Sequence, residues 1–385
     1  MKTSSKSRIA IVVLCSGGLL AASCGGSAEE LIDQASDALN EIAEDGSSVT
    51  ESEGSTSGDS SSAETSMGST SSSGSGDDVE VAVEPNARMP LTGAPLDGAD
   101  GIPNRPALAV KMPNNQKALP QTGLNEADIV FEEIINDGLT RFISVFHSQG
   151  SDPVGPIRSG RAQDVDILTN LDSPLFAWSG GNPGVTRVIN NSSLVSLNYV
   201  RGFADAYYRR DGRGGSPHNL FSSTDTLWDL TPEEFAVPPQ IFSYMLPGET
   251  AVGDPASIIE IELDSILARW DYDPVSGRYL RSQYGGPHMT ELTGQAWADN
   301  VVVLLVEYRR SPIDSKSPEA ITVGSGQALV FTDGVVRVGA WQRSSNSDMW
   351  NLYTDETLSE PIGLSDGRTW VELPRNDSEN VRYVS

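Results

Sequence analysis

Between Asn114 and Arg161 the chain gathers the side-chain types best suited to holding an anion. Arg141, Arg158 and Arg161 stand there with Asp128, Glu132, Ser159 and Asp164 interleaved. A guanidinium presents a planar fork of donors that matches a carboxylate or phosphate two bonds at a time. Arg158 and Arg161 sit in Gly155-Pro156-Ile157-Arg158-Ser159-Gly160-Arg161, where the glycines let neighbouring backbone come close. Two readings of that loop stand side by side. One is an anion cradle formed by Arg158, Ser159 and Arg161; the other is a helix N-terminus in which Asp164 pairs with one of the arginines. Arg141 falls in Thr140–His147, where alternation puts it on the face of Ile143 and Val145 while Phe142 and Phe146 take the other. Such a strand is expected to be buried on both sides, where an uncompensated charge is very costly. Arg141 is therefore expected to pair with Asp128 or Glu132 on the adjoining strand, or else to be reserved for an anionic ligand.

A second candidate is the stretch Tyr207-Tyr208-Arg209-Arg210-Asp211-Gly212-Arg213-Gly214-Gly215-Ser216-Pro217-His218-Asn219, a basic, glycine-rich loop in an acidic protein. Arg209, His218 and Asn219 offer ligand-orienting or acid–base groups, since histidine titrates near neutrality. A surface histidine with no special duty is the alternative. Gly180-Gly181-Asn182-Pro183-Gly184 joins a strand to a helix, and helix-terminal amides suit anions. It is neither the dinucleotide fingerprint nor a P-loop, and a plain turn accounts for it. Ser179 does not sit in Gly-x-Ser-x-Gly, so a hydrolase elbow is not supported. Three histidines make a multi-histidine metal site improbable, no calcium-loop spacing occurs, and no cofactor is implied.

The elements that must position these groups are legible from periodicity and turn residues. Ala107–Met112, Ala127–Ile135, Thr140–Phe146 and Pro174–Ser179 are strand-like, and Asn136-Asp137-Gly138 is a strong hairpin signal. Helices are expected from Val185 to Asn190 and over Thr224–Phe235, where Thr231-Pro232-Glu233-Glu234 has the look of a helix start. Beyond residue 245 the pattern turns to strands and hairpins. Ile258–Leu263, Asp299–Tyr308, Ala328–Phe331 and Val335–Trp341 are rich in apolar residues, and Asp333-Gly334 marks a tight turn. The expectation is an α+β chain, with a mixed α/β N-terminal domain over 101–245 and an antiparallel β-rich C-terminal domain over 246–385.

Several motifs fall in a familiar order: Pro120-Gln121-Thr122-Gly123-Leu124, Ala127-Asp128-Ile129-Val130-Phe131-Glu132, Gly138-Leu139-Thr140-Arg141-Phe142 and Gly155-Pro156-Ile157-Arg158-Ser159-Gly160-Arg161. They continue through Ala328-Leu329-Val330-Phe331-Thr332-Asp333-Gly334, Trp341-Gln342-Arg343 and Gly367-Arg368-Thr369-Trp370. With them the chain resembles the YerB-like lipoproteins of Gram-positive bacteria over roughly residues 105–375. It departs from their pattern at Leu119, Asp137 and Gly160, where Arg, Gly and Ala are favoured. That family is one of unknown function, so the resemblance implies a two-part fold and an envelope location, and no reaction.

The N-terminal segment agrees on location. Lys2, Lys6 and Arg8 precede an apolar run from Ile9 to Ala22 that ends at Ala21-Ala22-Ser23-Cys24. The run is too short to span ~30 Å of hydrocarbon at ~1.5 Å per residue, and it reads as a signal segment over 1–23. Small residues before cysteine point to lipidation at Cys24, although Ala21 stands where Leu is usual. Of the two cysteines, Cys15 would leave with the signal, which removes disulfides and cysteine catalysis from the folded part. Residues 24–100 read as an acidic, Ser/Gly-rich disordered tether, with a root-mean-square span of roughly 30–35 Å over its Ser/Gly core. A net charge of −27 argues against nucleic acid and anionic membrane surfaces as partners. The expected protein is a lipid-anchored lipoprotein on the extracytoplasmic face of the cell membrane. Its folded part binds an anionic envelope component or protein; an envelope enzyme acting on phosphates or glycans, and a scaffolding lipoprotein, remain the alternatives.

Overall fold

The computed structural model describes residues 87–96, 101–355 and 357–385. Cys24, the 1–23 signal segment and most of the 24–100 tether lie outside the described residues. The first half supplies β1 (Leu108–Asn114), β2 (Ile129–Ile134), β3 (Thr140–Phe146), β4 (Leu175–Trp178), β5 (Val195–Asn198), β6 (Tyr208–Arg209) and β7 (Leu220–Phe221). Its helices are short: α1 (Gln163–Leu168), α2 (Pro183–Asn190) and α3 (Thr224–Trp228). The second half adds β8 (Asp254–Pro255), β9 (Ile258–Leu263), β10 (Ile266–Asp273), β11 (Arg278–Gln283), β12 (Gly286–Pro287), β13 (Trp297–Ala298) and β14 (Asn300–Leu304). It ends with β15 (Tyr308–Arg310), β16 (Pro318–Ala320), β17 (Gly324–Thr332), β18 (Val335–Arg343), β19 (Asn351–Tyr353), β20 (Thr369–Leu373) and β21 (Val381–Val384). Of the described residues 38% are in strands and 12% are helical, so the structure is sheet-rich and its helices are accessory.

One sheet of 11 strands runs through both halves in the order β19-β18-β17-β14-β20-β2-β3-β1-β4-β5, with β8 on β18. The join is β20 against β2, parallel, with Ile129 opposite Thr369 and Glu133 opposite Leu373. β14 also runs parallel to β20, and β1, β4 and β5 are mutually parallel. Antiparallel β3 lies between β2 and β1. The strands β14, β20, β2, β1, β4 and β5 therefore all point one way, and their carboxyl ends share one edge. This corrects the expected antiparallel character of the second half at one point, the parallel pairing of β14 with β20. Buried on both faces, β14 and β20 can take parallel partners from the centre of a sheet.

Layers form because each face has its own apolar cover. Val130, Ile134, Phe142 and Trp370 pack on Ile259, Ile261 and Trp270 of the six-stranded second sheet, β12-β11-β10-β9-β21 with β13. Ile129, Phe131, Ile143 and Val145 pack on Ile167 and Leu168 of α1 and on Val185 and Ile189 of α2. Turn chemistry works as expected: Asp137 and Gly138 take positive φ between β2 and β3, and Asp333 and Gly334 do so between β17 and β18. Asn182 caps α2, accepting from the amides of Gly184 and Val185, with Pro183 in the first turn. The helix expected over Thr224–Phe235 stops at Trp228. A helix begun at Pro232 would meet Pro238-Pro239 before it had two turns, too little to offset nucleation.

Between the sheets lies a buried polar chain that ties the halves together. Arg281 Nη2 donates to Glu132 Oε2 at 2.5 Å, and its Nε stands 3.9 Å from Glu372 Oε1. Trp270 Nε1 also donates to Glu372, at 3.0 Å. Arg281 Nη1 reaches His288 Nδ1 at 2.9 Å, which leaves the ring proton on Nε2 to donate to Gln121 Oε1 at 2.9 Å. Burial, aided by Arg281, holds the His288 imidazole well below its usual range, so the ring is neutral. Burial, together with the neighbouring Glu132, raises the Glu372 carboxyl. Arg281→Ala would leave Glu132 and Glu372 facing each other without their cation. The expected loss is about 3–5 kcal/mol of unfolding free energy, read by urea denaturation. A loss below about 1 kcal/mol would show that the network does not hold the halves together.

Candidate functional site

The ends of β1 and β2 and the start of β3 meet at Thr140, opposite both Asn114 and Ile134. Asn114 Nδ2 donates to Thr140 Oγ1 at 2.8 Å and to Glu132 Oε1 at 2.9 Å; Thr140 Oγ1 donates to Glu132 at 2.6 Å. Arg141, the next residue, turns to the opposite face, across from Glu133 on β2 and Pro113 on β1. Its Nη1 donates to Ser159 O at 2.5 Å.

Both carboxylates expected to meet Arg141 are engaged elsewhere. Glu132 has the other parity, so its side chain points between the sheets toward Arg281. Asp128 stands beyond the far end of β2, accepting from the amides of His147 at 2.6 Å and Ser148 at 2.8 Å and from the Ser148 hydroxyl. Burial raises its carboxyl, partly offset by those hydrogen bonds.

The 155–161 loop crosses the carboxyl ends of β1 and β4. Arg158 N donates to Lys111 O, Ser179 N to Arg158 O, and Gly160 N to Gly180 O. A Cβ at Gly160 would come within 2.8 Å of the Trp178 ring and 2.9 Å of Ile189, so only glycine passes there without displacing them. Arg158 and Arg141 line one small pocket of about 10 Å³ together with Asn114, Asn115 and Thr140. Arg161 Nη2 donates to Asn136 Oδ1 at 3.0 Å and Nη1 to Gly160 O at 3.0 Å. The structure thus brings Arg141, Arg158, Ser159 and Arg161 to one place, all four buried. Asp164 faces inward, accepting from the Arg161 amide at 2.7 Å and from Lys111 Nζ at 2.7 Å.

The basic loop lies beside this edge. It joins β6 to β7, and β7 docks on the arginine loop through Ile157 N to Leu220 O and the Val154–Ser222 bridge. Arg209 Nη1 donates to Asn219 Oδ1 at 3.0 Å, Arg210 grips Glu291 at 2.6 and 2.9 Å, and Arg213 donates to Pro120 O. His218 is buried within it. Asn219 and Arg210 thus serve the loop's own conformation and its link to the second half.

Comparison with known proteins decides the family. The N-terminal domain of a family described as protein of unknown function, DUF3048, matches residues 91–236, and its C-terminal domain matches 259–371. The chain belongs to the YerB-like DUF3048 family. YerB of Bacillus subtilis (strain 168), whose name calls it a lipoprotein, is 28% identical over 303 residues, 76% of this chain and 88% of that protein. The crystal structure of Bacillus subtilis YerB superposes with a TM-score of 0.67 at 22% identity, covering 77% of this chain and 99% of that one. The DUF3048 chain therefore has the YerB fold.

Sequence reasoning missed the ion cluster that sets this edge. Lys111 Nζ pairs with Glu133 and with Asp164, and all three side chains are fully buried. The signals were a lysine inside the apolar run of β1 and a second glutamate after Glu132. Burial pushes the Glu133 carboxyl up to about 7, with Lys111 opposing and Asp164 adding to the rise. An unfolded glutamate titrates near 4.5. Between these values the folded chain keeps a proton that the unfolded chain has released, so stability falls as pH rises from about 4.5 to about 7. Glu133→Gln is expected to flatten that slope, measured as urea midpoints from pH 5 to pH 8. Parallel wild-type and variant slopes would exclude Glu133 as the titrating group.

Proposed function

We propose that this DUF3048-family protein is an extracytoplasmic lipoprotein, tethered through Cys24, that binds an anionic component of the cell envelope. The observation that carries the reading is the meeting of Arg141 and Arg158 in one pocket, with Arg161 three residues along the same loop. The place supports it as well, because open sheets with parallel strands take ligands outside the carboxyl ends of those strands. Arginines held in a low-dielectric edge attract an anion more strongly than they would in water, and bonds to Ser159 O, Gly160 O and Asn136 Oδ1 hold the Arg141 and Arg161 forks in position. The lipid anchor rests on the Cys24 processing pattern and on a lipoprotein relative. None of the described helices is long and apolar enough to cross a membrane.

Two measurements test these halves of the proposal. Cys24→Ala is expected to abolish incorporation of labelled palmitate and to release the protein from the membrane fraction; label retained on the variant would reject the anchor. For the site, the full-length chain is titrated calorimetrically with inorganic phosphate, as wild type and as Arg158→Gln with Arg161→Gln. At least a tenfold loss of affinity, about 1.4 kcal/mol, is expected with unchanged circular dichroism, and lysine at both positions should restore part of it. Undiminished binding rejects the cradle. If the glutamine and lysine forms both unfold, the arginines belong to the fold and the reading is likewise rejected.

A further inference from the structure

The hairpin of β15 and β16 rests on the carboxyl ends of β2 and β20, further along the edge that carries the arginine cluster. Tyr308 fixes it there: its hydroxyl accepts from Ile134 N at 3.1 Å and donates to Leu373 O at 2.8 Å. Between this hairpin and the β2–β3 turn lies an open, mostly polar cleft of about 300 Å³. Arg309, Arg310, Lys316 and Arg375 line it, an accumulation of cations in a chain whose net charge is −27.

The charges in the lining are not equivalent. Asp137 and Asp264 share it, and Arg375 engages Asp264 through two bonds of 2.6 and 2.8 Å. Arg309 is held by Glu319 behind the strand. Arg310 and Lys316 are exposed, and no carboxylate among the described residues lies within ion-pair distance of either. Two such cations facing one polar hollow make an anion subsite, since their charge is not already spent within the fold.

Asn136 links this cleft to the first site. Its Oδ1 accepts from Arg161 Nη2 at 3.0 Å and from Ser317 Oγ at 3.5 Å, and Asn136 and Ser317 both line the cleft. Cations thus follow one another along the carboxyl edge, from the buried Arg141, Arg158 and Arg161, through Asn136, to the exposed Arg310 and Lys316. We infer that the ligand is a linear, phosphate-bearing polyanion, whose successive groups lie over the arginine cluster and in the Arg310–Lys316 cleft. This rests on the anion-binding reading of the arginine cluster and extends it to a ligand class. A nucleic acid fits the cleft less well, because Tyr308, the one aromatic in its lining, has Arg375 over its ring at 5.1 Å and offers bases little to stack on.

The probes are orthophosphate, long-chain inorganic polyphosphate, poly-glutamate and a single-stranded oligonucleotide, each titrated against the full-length chain at two salt concentrations. Polyphosphate is expected to bind at least tenfold more tightly than orthophosphate and than either other polymer. Arg310→Ala with Lys316→Ala, both at exposed positions, should lower polyphosphate affinity at least fivefold and reduce its salt dependence, and should lower orthophosphate affinity by a smaller factor than it lowers polyphosphate affinity. Polyphosphate affinity unaffected by that double variant overturns the inference. If Arg158→Gln with Arg161→Gln still weakens orthophosphate binding in that case, the first site survives. Conversely, an orthophosphate affinity insensitive to the arginine cluster removes the reading on which this one rests. Preferential binding of poly-glutamate or the oligonucleotide overturns the assigned chemistry.

Discussion

Arg281 carries the interaction on which the geometry of the two halves depends. Its guanidinium sits between Glu132 on β2 and Glu372 on β20, the two strands that join the halves into one sheet. Two carboxylates facing each other in an apolar interior repel and are poorly solvated, so either alone would be destabilising there. Placing one cation between them, with Asn114 and Thr140 donating to Glu132 Oε1 and Trp270 to Glu372 Oε1, turns that cost into a constraint on register. A one-residue slip of β20 would carry Glu372 to the opposite face and bring an apolar side chain to Arg281.

That register sets the edge where the arginines meet. Because Glu132 faces the second sheet, Glu133 must face the helices, where Lys111 compensates both it and Asp164. Both faces of one strand end thus carry an acid, and each acid is matched by a cation from β1 or β11. The same parity puts Arg141 opposite Glu133 and within reach of Ser159 O, which draws the 155–161 loop across the ends of β1 and β4. Lys111 contributes twice, its ammonium holding Asp164 and its carbonyl accepting from Arg158 N. The cluster's position follows from core electrostatics as much as from loop sequence.

How much of this was legible from the chain depends on how local the cause is. Hairpins at Asn136-Asp137-Gly138 and Asp333-Gly334 are decided by residues that tolerate positive φ, so they could be read directly. The two-faced burial of β3 likewise follows from its own alternation. Partner choice was not legible, because it depends on parity between strands far apart in sequence. Arg141 was assigned to Asp128 or Glu132, and the register places Glu133 across from it. Arg281, some 150 residues from Glu132, gave no local sign that it would reach it. The parallel insertion of β20 was hidden for the same reason: a fully buried five-residue strand reads alike in either direction. Of the candidate site, the arginine loop could be read, while the cleft beside it could not, because Arg310 and Lys316 face Asn136 only through the fold.

An anionic ligand for a protein of net charge −27 looks contradictory until distance is considered. At physiological ionic strength exposed charges more than about 8 Å apart are largely screened, so an approaching anion responds to the nearest side chains rather than to the total. Much of the acidity is remote in sequence from the folded residues: between Ser27 and Ala87 the chain holds no lysine or arginine. Along the carboxyl edge the local balance is reversed, with the buried Arg158 and Arg161 and the exposed Arg310 and Lys316 gathered beyond the strand ends. Acidity elsewhere then lowers the affinity for anions at other surfaces without reaching the edge. Under the proposed anion-binding reading, the contrast favours a ligand that can lie along this edge over one that must cover a broad face, and the surrounding negative charge would take a part in selectivity.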